Sequence, residues 1–213
     1  MPNLQNQFIE FLIQNNALKF GEFTLKSGRK SPYFFNLGVF NTGKLLAKLG
    51  EFYAETFLQS RMPCDVLFGP AYKGIPLVAS TSIILSEKFN KNMPYCFNRK
   101  ETKDHGDAGN FVGAALKGDV VMLDDVITAG TTVRETLSLL KNTEATLAGI
   151  VIAFDRQERG EGKLSAVQEV VKNYNVPVQS IVTLTDIIQY LQSQKMMSEL
   201  GAIEDYRKSY GIC

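Results

Sequence analysis

Two adjacent acids, Asp124 and Asp125, follow the apolar run VVML and precede the turn VITAGTT, after which a helical pattern begins. Carboxylates repel phosphate. A Gly/Thr turn that opens a helix attracts it, through free backbone N–H groups and the positive end of the helix dipole. One ligand satisfies both halves: a ribose 5-phosphate, with hydroxyls on the acids and phosphate in the turn Thr128-Ala129-Gly130-Thr131-Thr132. The acids also suit a Mg²⁺ that is held mainly by the ligand. The turn is not a Walker A loop, because no GKS or GKT is present. An ordinary strand–turn–helix with a capping Thr is the plain alternative.

Three other clusters could do chemistry. Arg99, Lys100 and Lys103 stand close in sequence to His105, the only histidine, and glycines flank them. Such a segment suits a lid that closes on a polyanion and excludes water, or else a solvated polar loop. In GPAYKG, Lys73 would reach an anion placed at a strand-to-helix turn, or the turn is merely a connection. Lys26, the adjacent aromatics Phe34 and Phe35, and Arg156 form a looser set. Adjacent strand residues face opposite sides, so one aromatic can pack on the core while the other stacks on a flat ligand. A guanidinium at Arg156 suits a planar carboxylate or imide, although a surface arginine in a polar loop reads the same way.

The elements that must position these residues read as an alternation. Helical spacing covers 4–18, and a strand pair with a polar turn covers 21–37. Strands are expected at 66–68, 94–98, 120–123, 146–154 and 178–182, and helices at 44–58, 75–89, 164–174, 185–192 and 198–210, with another after the 124–132 turn. Strands apolar on both faces between amphipathic helices imply an α/β fold with a mostly parallel sheet flanked by helices. In such folds ligands bind at the carboxyl ends of the strands. The loops 69–74, 99–110, 124–132 and 155–162 lie there and hold most of the unusual chemistry.

Composition narrows the function classes. The chain has 213 residues, enough for one α/β domain. A net charge of +1 speaks against a dedicated nucleic-acid binder. Three separated cysteines without a CxxC suggest neither a disulfide framework nor a zinc site. No signal peptide and no apolar run of transmembrane length is evident, so a cytoplasmic protein without a membrane partner is expected.

With those residues in view, VVMLDDVITAGTTVRE resembles the phosphoribosyl-diphosphate motif of the type I phosphoribosyltransferase family. NRKETKDHGDAGNFVG, FTLKSGRKSPYFFNLG and GPAYKGIPL resemble the catalytic loop, the N-terminal base-binding segment and the pyrophosphate loop of its orotate-specific branch. The similarity runs through nearly the whole chain, and Thr132 stands where small residues also occur. The resemblance implies the type I phosphoribosyltransferase fold, a single domain over 1–213 with a small N-terminal hood at 1–40. It also implies transfer of a phosphoribosyl group to orotate with Mg²⁺ as cofactor, and a homodimer whose lids close over each other's sites.

Carried over residue by residue, Asp124 and Asp125 meet the ribose hydroxyls. Val126, Ile127, Thr128, Ala129, Gly130, Thr131 and Thr132 wrap the 5′-phosphate. Tyr72, Lys73, Arg99, Lys100, Lys103 and His105 surround the diphosphate, with Lys103 and His105 as the main lid contribution. Lys26, Phe34, Phe35, Thr128 and Arg156 gather around orotate. No residue binds the metal directly. A non-proline cis peptide is expected at Ala71-Tyr72, aiming amides at pyrophosphate. Two rivals stand beside this reading: a phosphoribosyltransferase for a purine or uracil, and a sensor that binds the ribosyl donor without turnover.

Overall fold

Val120 and Met122 turn to one face of the central sheet and Val121 and Leu123 to the other, and all four are fully buried. That two-sided burial requires helices on both faces. The computed structural model describes residues 3–25, 28–100, 110–160 and 162–212 and supplies those helices.

The chain begins with α1 (Leu4–Gln14) and a hairpin of β1 (Leu18–Thr24) and β2 (Lys30–Phe35). Then α2 (Gly43–Ser60), β3 (Val66–Gly69), α3 (Gly74–Phe89), β4 (Tyr95–Asn98), β5 (Phe111–Gly113) and β6 (Lys117–Asp124) follow. The remainder is α4 (Thr131–Leu140), β7 (Glu144–Asp155), α5 (Ala166–Tyr174), β8 (Val178–Thr183), α6 (Leu184–Ser193) and α7 (Met197–Tyr210). The six-stranded sheet has the order β5-β4-β3-β6-β7-β8, parallel throughout except for β5. Buried residues of α1, α2, α3, α6 and α7 pack on one face, and those of α4 and α5 on the other.

Two elements differ from the expectation. The first helix stops at Gln14 rather than continuing to Leu18. The Asn15 side chain donates to the Phe11 carbonyl at 2.8 Å, and Asn16 takes a left-handed backbone with φ 58°. Ala17 and Leu18 stay buried beyond that break, so the apolar spacing overran the helix. The second is β5, which no pattern indicated. It has only three residues, and its strand character comes from pairing antiparallel with β4.

Candidate active site

The strand order places the site. From β3 the chain crosses through α3 to β4 on one side of the sheet; from β6 it crosses through α4 to β7 on the other. The carboxyl ends of the neighbours β3 and β6 therefore flank a crevice from which both following loops diverge, the usual ligand position in such sheets. Lys73, at the start of α3, meets Asp125, at the end of β6, across that crevice (Nζ to Oδ2, 2.5 Å).

On the β3 side the loop is held tightly. A Cβ on Gly69 would lie 2.2 Å from the Gly74 carbonyl oxygen, so this strand-to-helix turn closes only with glycine. The Ala71-Tyr72 peptide is cis, as expected. Asn98 at the end of β4 accepts the Ala71 N–H through Oδ1 at 2.8 Å. Tyr72 is 69% exposed, and Lys73 is exposed except for its ion pair.

On the β6 side both acids are buried, at 6% and 7% exposure. Asp124 Oδ1 accepts the Asp125 N–H (2.9 Å), and Asp125 Oδ1 accepts the Val126 N–H (2.9 Å). The Tyr53 hydroxyl donates to the Asp124 carbonyl at 2.7 Å, and Ala153 donates to the Asp125 carbonyl at 3.0 Å. Burial first, and the Asp125 charge second, push the Asp124 carboxyl well above its ordinary range. Each acid spends one oxygen on the next backbone N–H, and Asp125 turns its other oxygen to Lys73, an arrangement of acceptors suited to hydroxyl donors.

Past the acids, Gly130 takes φ 64° at the N-cap of α4, and no side chain caps the helix among the described residues. The first amides of α4 are left to an anion. Arg134 reaches back from α4, donating to the Ala129 carbonyl (2.9 Å) and to Thr131 Oγ1 (3.1 Å), and so braces the turn. Val126 and Thr132 are half-buried, Ile127 is buried, and Thr128, Ala129 and Thr131 are exposed.

Beside this turn opens a cavity of about 990 Å³, lined among others by Phe34, Ile127, Thr128, Arg156 and Glu158. The hairpin registers Lys19 opposite Phe34 and Leu18 opposite Phe35. Phe35 packs inward on Phe154, with ring centroids 5.3 Å apart, while Phe34 is 39% exposed on the cavity wall and leans on Phe23. Arg156 is half-buried. Burial opposes its charge, but Tyr33 and Glu158 outweigh that and hold the guanidinium protonated beyond its usual range. Its Nε and Nη2 both donate to Glu158 Oε1, at 3.0 and 2.7 Å, so one edge of the fork is already occupied.

Arg99 is half-buried and Lys100 exposed at the end of β4. Lys26, Lys103 and His105 lie outside the described residues. Sequence reasoning missed Asn98, Arg134 and the group Arg29, Tyr33 and Glu158. Arg134 carried a signal, since it lies four residues after Gly130, one helical turn into α4. Asn98, Arg29 and Tyr33 carried none, because their partners are distant in the chain, and Glu158, two residues from Arg156, read only as one more charge in a polar loop. Among the described residues no three His, Cys, Asp or Glu side chains converge as a metal cage. Asp124 and Asp125 alone fit a divalent ion, as acceptors for hydroxyls or waters that it polarises.

Comparison with known proteins agrees with this geometry. Residues 39–187 match the sequence model of the phosphoribosyl transferase domain, so fold and crevice define a phosphoribosyltransferase. Over all 213 residues, and 100% of both chains, the protein is 56% identical to orotate phosphoribosyltransferase of Shigella flexneri and 57% identical to that of Photorhabdus laumondii. The crystal structure of orotate phosphoribosyltransferase from Francisella tularensis superposes with a TM-score of 0.89 at 45% identity, covering 96% of this chain and 99% of that one. The chain belongs to the orotate phosphoribosyltransferase family.

Proposed function

We propose that this protein transfers the 5-phosphoribosyl group from 5-phosphoribosyl 1-diphosphate to orotate, giving orotidine 5′-monophosphate and pyrophosphate in pyrimidine biosynthesis. The observation that carries this reading is the cavity that sets Phe34, Thr128 and Arg156 beside the phosphate-type turn. A flat acidic ring placed there lies next to the ribose whose phosphate the turn would hold.

In the reaction the anomeric C–O bond to diphosphate breaks, and a bond forms from that carbon to a ring nitrogen of orotate, which gives up its proton. The transition state is oxocarbenium-like, as in glycoside cleavage, and needs no protein nucleophile. Asp124 and Asp125 hold the ribose hydroxyls. The 126–132 segment holds the 5′-phosphate with backbone amides. Lys73 leaves Asp125 as the hydroxyls arrive and turns to the diphosphate, with Tyr72, Arg99, Lys100, Lys103 and His105. Fixed cations stabilise the charge that builds on the leaving group. Lys26, Phe34, Thr128 and Arg156 orient orotate, and Phe35 supports that wall from the core side. Mg²⁺, bound mainly by diphosphate, ribose hydroxyls and water, would neutralise leaving-group charge.

Residues 1–40 serve as the base-binding hood of a single domain, and the active form is a homodimer with shared sites. A cytoplasmic setting is supported by two unpaired thiols, Cys64 and Cys96, which burial pushes up to about 11. No helix among the described residues is long and apolar enough to cross a membrane.

Ultraviolet absorbance with ribosyl donor, Mg²⁺ and one base at a time tests the reading. Orotate is expected to be consumed, with orotidine 5′-monophosphate as product, while uracil and hypoxanthine are not. Turnover of uracil or hypoxanthine in preference to orotate overturns the choice of base. Donor binding without turnover of any base points to a sensor.

A further inference from the structure

One acid in the base-side cavity is shared by three partners. Glu158 Oε1 accepts from Arg156 Nε and Nη2 and from the Tyr33 hydroxyl, the last at 2.7 Å. Its Oε2 accepts from Arg29 Nη1 at 3.1 Å. The Tyr33 hydroxyl in turn accepts from Arg156 Nε at 3.2 Å, and Tyr33 is 1% exposed. The Arg29 guanidinium lies over the Tyr210 ring, 4.3 Å from its centroid. Glu158 therefore joins the hood, the loop after β7 and the end of α7 at one point.

The loop backbone is fixed as well. Glu158 forms a β-bridge with Gly211, Arg159 donates its N–H to the Tyr210 carbonyl at 2.8 Å, and Ile212 donates to the Gln157 carbonyl at 2.9 Å. The Gln157 side-chain oxygen accepts from the Thr185 N–H and hydroxyl, at 3.0 and 2.7 Å. These bonds hold the main chain of the loop whatever the Glu158 side chain does.

We propose that Glu158 is a positioning residue for the base: it holds Arg156 by the Nε–Nη2 edge and Arg29 from the other side, leaving Nη1 of Arg156 for the ligand. Among the described residues no hydrogen bond uses that Nη1. Without the carboxylate, two guanidiniums sharing one half-buried wall would repel each other and lose their common orientation. With it, two cations and one anion leave a single net positive charge, complementary to a ring that bears one carboxylate. The inference rests on the reading of Arg156 as a contact to orotate.

Glu158→Gln is a specific probe. An amide offers one acceptor oxygen where the carboxylate offers two, so one of the two arginines must face an N–H₂ group. Tyr33→Phe removes only a hydroxyl and leaves the ring in the core. Steady-state kinetics on both variants, with Arg156→Ala alongside, read the effect on each substrate. Glu158→Gln is expected to raise KM for orotate by about tenfold or more, and Tyr33→Phe by about threefold, with KM for the ribosyl donor held within about twofold. If Glu158→Gln does not fold, Tyr33→Phe carries the same test.

An unchanged orotate KM in Glu158→Gln, beside a raised one in Arg156→Ala, overturns the positioning role. An unchanged orotate KM in Arg156→Ala overturns the base-contact reading, and the inference with it. A parallel rise of both KM values with a lowered Tm assigns Glu158 to structure alone and also overturns the proposal.

Discussion

The two halves of the site are built differently. The ribosyl-phosphate half lies mainly in one stretch: β6 delivers Asp124 and Asp125, and the next residues turn through Gly130 into α4. The groups that would meet the sugar phosphate are mostly neighbours in sequence, with Tyr53 and Lys73 reaching the acids from elsewhere. The base half is assembled from segments more than 120 residues apart, with Tyr33 from the hood bonded to Arg156 and Glu158 from the loop after β7. On the proposed reading a local motif takes the sugar phosphate, and the assembled half is free to differ with the base.

The largest effect is expected where the two halves meet the leaving group. Lys103→Ala should lower kcat by roughly 10²–10³-fold, the usual cost of losing one preorganised electrostatic contact to the transition state. Full turnover in that variant would remove Lys103 from the mechanism. Mixed with Asp125→Asn in a verified heterodimer, it should recover part of the activity if one subunit's lid serves the other's site. No recovery argues for self-contained subunits.

A smaller effect concerns the stability of the donor half. Burial raises the folded-state pKa of Asp124, so its contribution to stability is present below the unfolded value and lost as pH rises through the folded one. Asp124→Asn removes that dependence and can keep the acceptor for the Asp125 N–H. Without ligand, the wild-type Tm relative to the variant should fall by about 2–4 °C between pH 5 and pH 8, the shift expected for about 1 kcal/mol in a chain of this size. A constant difference across that range would mean that Asp124 is not held protonation-sensitive by its burial.

The same contrast explains what the sequence made legible. The continuous apolar runs of β6 and β7 and the amphipathic α4 and α5 follow from local patterns, and so does the placement of the TAGTT turn. Lys73 was legible as a cation at the crevice. Its ion pair with Asp125, 52 residues away, was not, because no local pattern encodes which loops diverge at a switch point. Short β5 depends on β4 for its identity, and Asn98, Tyr33 and Glu158 depend on partners that only the folded chain brings near. Phe34 and Phe35 fall between these cases. Strand alternation predicted opposite faces, and the hairpin register decided that Phe35 faces Phe154 while Phe34 lines the cavity.

The most direct test is a crossed pair of KM values measured on Asp125→Asn and Arg156→Ala. Two separable halves predict that Asp125→Asn raises KM chiefly for the ribosyl donor and Arg156→Ala chiefly for orotate, each by about tenfold or more. Equal changes in both substrates for both variants, or a reversal of the pattern, would contradict the division of the site on which the functional reading stands.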